Sequence, residues 1–192
     1  MGRVREFDTA AVVERAMDVF WRLGYEATSI QDLVEATGIG RGSIYAAFGS
    51  KDGLYVAALQ HYAERSAATM SARLDRDEPV RIVVRDLLLA LVDETVDDPE
   101  RRGCLITNSA VERLPRDRFA ARVVGSSLDG TAEAITLVLR RARDRGDIRP
   151  DADITAIADF FVTTIQGLRV QGKAGADRRR LAAVVDTALN VL

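Results

Sequence analysis

Between Thr28 and Tyr55 the chain reads TSIQDLVEATGIGRGSIYAAFGSKDGLY, and the spacing of its glycines leaves room only for short helices and tight turns. Thr28 and Gln31 have capping-box spacing, so Thr28 is expected to accept a backbone N–H while Gln31 reaches back to it. Ile30, Leu33 and Val34 then share one helical face. Gly38 follows the last periodic residue, where a left-handed cap is expected. After a tight turn at Ile39-Gly40, residues 43–48 form a second short helix. Ile44, Ala47 and Phe48 are expected to face a core, leaving Arg41, Ser43 and Tyr45 outward. Ser50 caps a third helix that starts at Lys51. Two short helices joined by a glycine turn, the second exposing Arg, Ser and Tyr at its start, form the pattern of a DNA-reading helix-turn-helix.

This stretch resembles the N-terminal domain of TetR/AcrR-like transcriptional regulators. The resemblance rests on several groups of residues together: Gly24-Tyr25, Thr28-Ser29-Ile30, Ala36-Thr37-Gly38-Ile39, Gly42-Ser43-Ile44-Tyr45, Phe48, and Ser50-Lys51-Asp52-Gly53-Leu54. It covers about the first third of the chain. One departure is Gly40, where the family commonly has Ser or another capping residue; glycine still caps acceptably. The resemblance implies an all-α chain of about nine helices. Residues 1–52 would be the DNA-binding domain, and residues 53–192 a ligand-binding and dimerisation domain. It further implies phosphate contacts from Thr28, Ser29, Tyr45 and Lys51. Arg41, Gly42 and Ser43 are the candidates for base edges, since Arg41 can pair with guanine and Gly42 permits close backbone approach.

Composition bounds these readings. The 192 residues are 47% hydrophobic and 29% charged, as in a soluble globular protein. The longest stretch free of Asp, Glu, Lys and Arg runs from Gly53 to Ala63, 11 residues against the ~20 that span a bilayer. The start, MGRVREFD, has no apolar signal core, so a cytoplasmic location is expected. One cysteine excludes an intramolecular disulfide framework and argues against a structural zinc site; no cofactor is expected. The net charge of −2 counts against a strongly DNA-binding surface, and the first 52 residues hold six basic and eight acidic side chains. A DNA face must therefore come from local arrangement, with Arg3, Arg5, Arg41 and Lys51 clustered and Glu14, Asp18 and Glu35 turned elsewhere.

Along the chain, Asp8 caps a first helix with a stripe of Val12, Val13, Ala16, Met17, Phe20 and Leu23, ended by Gly24. Trp21 flanks the stripe as a packing residue. GIGRGS at residues 38–43 superficially suggests a nucleotide loop, but helix precedes it, Ser43 stands at the third-glycine position, and no Gly-Lys-Ser/Thr follows. From Lys51 a long helix runs to about Leu74. His61, the only histidine, can form neither a zinc cluster nor a nucleophile pair. Asp77-Glu78-Pro79 starts an apolar helix that Asp97-Asp98-Pro99 stops. Residues 103–112 read as a short helix with Cys104 near its N-terminus, after Arg101 and Arg102. Such a thiol is either a small buried hydrophobe or an activated thiolate. A subset of the resembling family carries Gly-Cys-Leu here, and some relatives sense oxidants or electrophiles. Residues 115–145 hold a long helix interrupted by Gly125-Ser126-Ser127 and Gly130, small residues that suit a close contact, a kink or a cavity wall.

Two amphipathic helices close the chain. Phe161, Ile165 and Leu168 line the first, and Leu181, Val184, Val185 and Ala188 the second. In the resembling family such a pair meets its copy in a four-helix interface, so these residues are the expected homodimer surface. The resemblance also implies a small-molecule pocket between the long helices. Its candidate lining, taken from apolar faces plus a few polar groups, is Tyr62, Met70, Leu88, Leu91, Cys104, Asn108, Phe119, Phe160 and Thr164.

These readings imply a ligand-responsive transcriptional regulator, in the family's usual repressor mode. It would bind a near-palindromic operator as a homodimer and leave it when a small-molecule effector binds. The alternative is a helical enzyme or small-molecule carrier with an incidental helix-turn-helix. No cysteine-histidine pairing, metal spacing or catalytic glycine loop supports an enzyme.

Overall fold

A computed structural model describes residues 7–192, and all regular structure among them is helical. In order, the helices are α1 Thr9–Leu23, α2 Ile30–Thr37, α3 Arg41–Phe48, α4 Lys51–Leu74, α5 Val80–Val96, α6 Leu105–Arg113, α7 Arg118–Arg145, α8 Ile154–Lys173 and α9 Arg178–Ala188, followed by a 3-10 turn, Leu189–Val191. Arg3 and Arg5 lie outside the described residues.

Caps set most of the helix ends. Asp8 accepts from the N–H groups of Ala10 and Ala11. Ser50 accepts from Gly53, Asp117 from Phe119 and Ala120, Asp153 from Ala156, and Asp177 from Arg180. At α2 the expected box is displaced by one residue. Ser29 is the cap; its Oγ accepts from the Asp32 N–H, and the Asp32 carboxylate accepts from the Ser29 N–H. Serine with aspartate makes the shorter and stronger reciprocal pair, a charged acceptor in place of the amide of Gln31. Gln31 instead donates to Glu35 on the outer face. Gly38 takes the left-handed conformation that ends α2, with φ of 73°.

The chain packs around two connected cores. The first gathers Phe20, Tyr25, Leu33, Ile44, Leu54, Tyr55, Ala58 and Leu59, and draws in Cys104, Leu105 and Ile106 from α6 and Ala120 and Val124 from α7. The second holds α5, the C-terminal half of α7, α8 and α9 together through Leu87, Leu88, Leu139, Phe161, Ile165, Leu181 and Val185, among others. Helix α4, 24 residues and about 36 Å long, belongs to both, because Met70 and Leu74 sit in the second core. Leu23, expected in the α1 stripe, is exposed at the helix end.

The structure bears on two further readings. Helix α7 runs unbroken through Gly125, Ser126, Ser127 and Gly130, and a Cβ at either glycine would meet nothing within 4 Å. Of the three readings left open for these residues the cavity wall is met, since Ser126, Ser127 and Gly130 line a cavity. In the closing helix pair, Phe161, Ile165, Leu168, Leu181, Val185 and Ala188 are buried in the subunit's own core, and only Val184 is exposed. A hydrophobic stripe marks what a helix buries, and here the burial is against α5 and α7 of the same chain.

One residue fixes the α3–α4 corner. A Cβ on Gly53 would stand 1.9 Å from the Phe48 carbonyl oxygen, a backbone atom that cannot rotate away. Alanine in a helix normally gains up to about 1 kcal/mol over glycine, whereas overpacking against backbone costs about 1–3 kcal/mol. Gly53→Ala is therefore expected to destabilise the protein by about 1–2 kcal/mol in urea unfolding. A stabilised variant would show that the corner yields freely.

Candidate nucleic-acid interface and effector cavity

The exposed face of α3 is a short platform resting on Ile44 and Phe48. Ile44 is fully buried and Phe48 half-buried, while Arg41, Gly42, Tyr45, Ala46 and Ala47 are exposed and Ser43 half-buried. Ala47 was expected inward; the helix is held by Ile44 and Phe48 alone, which leaves a broader outward surface. No group lies within 4 Å of a Cβ built on Gly42, so nothing in the fold requires glycine there and the backbone lies open to approach. Among the described residues no acidic side chain stands within ion-pair distance of Arg41 or Lys51. The Lys51 ammonium lies 4.2 Å from the centre of the Tyr25 ring. Glu14 pairs with Arg65 on α4 and Asp18 with Arg102 beyond α5, each at 2.9 Å, so both carboxylates face the body.

The α1–α2 connection departs from expectation at Thr28. Its hydroxyl donates to the Gly24 carbonyl at 2.5 Å and the residue is 1% exposed, so it secures the connection and offers no hydroxyl to a phosphate. Ser29 is exposed, but its hydroxyl donates to Asp32 at 2.7 Å. That bond, with the Ser29 N–H, holds the Asp32 carboxyl below the usual carboxylate range. What α2 retains for an anion is its first-turn backbone N–H groups.

Helix α6 joins this head to the body. The Glu112 carboxylate accepts from the N–H groups of Tyr25 and Glu26 at 3.0 and 2.9 Å. The Arg113 guanidinium lies 3.7 Å from the centre of the Tyr25 ring and pairs with Asp52, Asp117 and Glu26. Burial, followed by the hydrogen bond donated to Asp52, pushes the Tyr25 hydroxyl up to about 12. Behind it, Ser109 donates to the Leu105 carbonyl and Tyr55 donates to Ser109 at 2.6 Å, a fully buried link from α4 to α6. Trp21 packs as expected: its indole N–H donates to the Gly103 carbonyl, and its ring meets Tyr62 edge-on.

Three cavities, two of them bordered by α1 as well as by the body, divide the expected pocket residues. The first, about 400 Å³, lies between α4 and α7 and is lined by Met70, Ala63, Ile106, Ser126, Thr131 and Ala134, among others. The second, about 220 Å³, takes Tyr62, Met70 and Leu91; the third, about 410 Å³, takes Cys104 and Asn108. Leu88 is sealed in the second core, and Phe119 and Phe160 are 51% and 40% exposed on the outer surface. Thr164 lines none of these three and donates to the Phe160 carbonyl. Asn108 is occupied at both ends of its amide, by Lys173 and by the Arg102 carbonyl.

The residue shared by all three cavities is Arg169, which the sequence reading passed over. Its signal was present: it stands four residues after Ile165, an arginine inside the buried stripe of α8. Its Nη1 donates to Cys104 Sγ at 3.1 Å. Burial pushes the Cys104 thiol up, but Arg169, then Thr107 and Tyr62, outweigh it and hold the thiol below its ordinary range. Burial raises the neighbouring Tyr62 hydroxyl strongly. Cys104 is thus buried, with its thiol held toward the charged form by Arg169.

With this geometry in hand, the chain can be compared with known proteins. Residues 12–58 match the family of bacterial regulatory proteins, tetR family, and residues 81–188 match the tetracyclin repressor-like C-terminal domain. The chain is 39% identical to the HTH-type transcriptional regulator YezE of Bacillus subtilis (strain 168), covering 100% of both chains. It is 33% identical to the HTH-type transcriptional repressor ComR of Escherichia coli (strain K12), over 99% of this chain and 91% of ComR. It is also similar to a solved structure of a cysteine variant of the TetR family transcriptional regulator CifR, complexed with 26-base-pair double-strand operator DNA. That similarity amounts to 37% identity and a TM-score of 0.87 over 98% of each chain.

The Cys104–Arg169 contact carries a titration test. A cation beside a thiol stabilises the charged form, and Arg169 holds the Cys104 thiol below its ordinary range. Removing the cation leaves burial unopposed and moves the titration up. Thiolate absorbance in the native protein is therefore expected to appear at lower pH than in the unfolded chain, and at higher pH in Arg169→Met than in the wild type. Coincident curves for native protein and variant would show that Arg169 does not govern the thiol.

Proposed function

The chain belongs to the TetR family of bacterial regulatory proteins, and from that membership we propose that it is a ligand-responsive repressor that binds a near-palindromic operator as a homodimer. The observation that carries this reading is the α3 platform: Arg41, Gly42 and Tyr45 exposed above a single buried isoleucine, with Arg41 free of any acidic neighbour among the described residues. Arg41, Gly42 and Ser43 take the base edges. Tyr45, Lys51, the Ser29 position and the first-turn N–H groups of α2 take the phosphates. One such head makes too few base contacts for operator-level specificity, and a two-fold dimer doubles them. Residues 1–52 supply the reading and residues 53–192 the sensing, with the shared core crossing between them. The curated relatives are transcriptional regulators, so the alternative of a helical enzyme or carrier is not favoured. No helix among the described residues is long and apolar enough to cross a membrane.

The homodimer surface we propose is the outer face of α8 and α9, in place of the stripe that packs inward. Phe160 and Val184 are 40% and 45% exposed there, with Val170, at the rim of the third cavity, 50% exposed and Val191 of the closing 3-10 turn 38%, an apolar set that a lone subunit leaves in water. Gly167 lies between Phe160 and Val170 with no group near its Cβ position, leaving room for a partner helix. An effector in the body would act through α4 and α6, the two helices that reach the head. A typical coupling of about 1–3 kcal/mol would lower operator affinity by about 5–150-fold.

Fluorescence anisotropy on the DNA directly upstream of the protein's own gene, with scrambled competitor, tests the reading. Saturable binding that resists competitor is expected, and Arg41→Ala should weaken it by at least roughly tenfold. If that DNA binds no better than scrambled DNA, selection from a random pool must yield a site that Arg41→Ala loses, or the assignment fails. For the interface, Phe160→Asp combined with Val170→Asp is expected to give monomers in sedimentation and to abolish tight operator binding. A dimer that survives both charges would place the interface elsewhere.

A further inference from the structure

Among the described residues no carboxylate balances the charge of Arg169. A guanidinium carries five N–H donors. One is used on the Cys104 sulfur, and no carboxylate among the described residues lies within ion-pair distance. Among those residues no buried side-chain nitrogen lacks a partner, so the remaining nitrogens of Arg169 are open to the cavities that meet at it. The α4–α7 cavity, about 400 Å³, is at the small end of the ~300–1,000 Å³ that ligand sites span. Glu64 and Arg122, both exposed, also border it and offset one another in charge. Arg169 is then the net charge of a wall otherwise made of carbon, hydroxyl groups and the Gln60 amide.

From this arrangement we infer that the effector is a small amphipathic carboxylate. Its carboxylate pairs with Arg169, and its apolar body lies against Ala63, Met70, Ile106 and Ala134 while Ser126 and Thr131 accommodate a polar substituent. A planar guanidinium with adjacent free donors suits a two-oxygen acceptor. A neutral apolar ligand would strip water from the cation without replacing it, and a cationic ligand would be repelled. Pairing also draws the guanidinium away from Cys104, the cap of α6. This inference names the effector class for the regulator proposed above and rests on that reading.

Isothermal titration calorimetry on the full-length protein tests it, with hexanoate, octanoate and benzoate compared against the primary amides of the same skeletons. The acids are expected to bind at least about tenfold tighter than the amides. Arg169→Met, which keeps the aliphatic stem, should erase that preference while still melting cooperatively. Arg169→Lys, which keeps a point charge and loses the fork, should retain part of it, and it serves if the methionine variant does not fold. Saturating acid should then weaken operator binding by at least about fivefold. Amides that bind as well as the acids, a preference that survives in Arg169→Met, or bound acid that leaves operator affinity unchanged would each overturn the inference. Calorimetry needs no DNA, so a protein that binds acids through Arg169 but no operator would count against the regulator reading alone.

Discussion

The reading head is positioned by what Arg113 does at the end of α6. Its guanidinium lies against the Tyr25 ring and spans carboxylates from the α1–α2 connection, the start of α4 and the cap of α7. Its side chain is 15% exposed and that of Asp117 is 10%, so this is not an ordinary surface pair, which contributes about 0–1 kcal/mol. Nor is it a buried pair stripped of water, where desolvation takes back most of the gain. Arg113 donates four hydrogen bonds and Asp117 accepts on both oxygens, and the more exposed Glu26 and Asp52 keep contact with solvent. Glu112 adds a carboxylate that caps two backbone N–H groups in the same connection. The orientation of α2, and of α3 behind it, follows from these polar bonds as much as from the apolar core beneath.

The charge balance of the head becomes intelligible in the same terms. A net −2 over the first 52 residues looked unfavourable for a DNA-binding surface. The fold disposes of it by position: Glu14 and Asp18 are matched by arginines of the body, Asp52 by Arg113 and Tyr25, and Asp32 by its own capping box. Among the described residues Arg41, exposed, and Lys51, half-buried over the Tyr25 ring, form no ion pair. Binding strength at such a face depends on the local phosphate contacts rather than on the sum over the chain.

The helical architecture was largely legible in the sequence because caps and glycines are local signals. Asp8, Ser50, Asp153 and Asp177 cap where they were expected to, and α4 ends at Leu74. The misreadings share a cause, competition between neighbouring candidates that only three-dimensional packing resolves. Thr28 and Ser29 both suit a cap, and Thr28 loses because its hydroxyl is already bonded to Gly24. Periodicity found the apolar stripes of α8 and α9 but could not say whether a stripe packs inward or against a second copy, since both bury carbon equally well. The pocket was least legible, because a cavity is where side chains fail to meet. Three of its walls converge on Arg169, a charge in an apolar stripe that periodicity alone treats as noise.

Helix α6 ties these observations together. It is nine residues long, about 13 Å from end to end. At its N-terminus Cys104 meets Arg169 and lines one of the three cavities; at its C-terminus Glu112 and Arg113 hold the head. Between them, Ser109 is bonded to Tyr55 of α4 in a site closed to water. A short helix bonded at both ends and in the middle has little freedom to bend, so a displacement at one end moves the other as a rigid body. A bound group that competes with Cys104 for Arg169 acts on one end of this strut. The other end carries the polar contacts that fix α2 and, through Asp52, the start of α4. Coupling between cavity and head then needs no long chain of small side-chain adjustments, only a second resting position for a single helix.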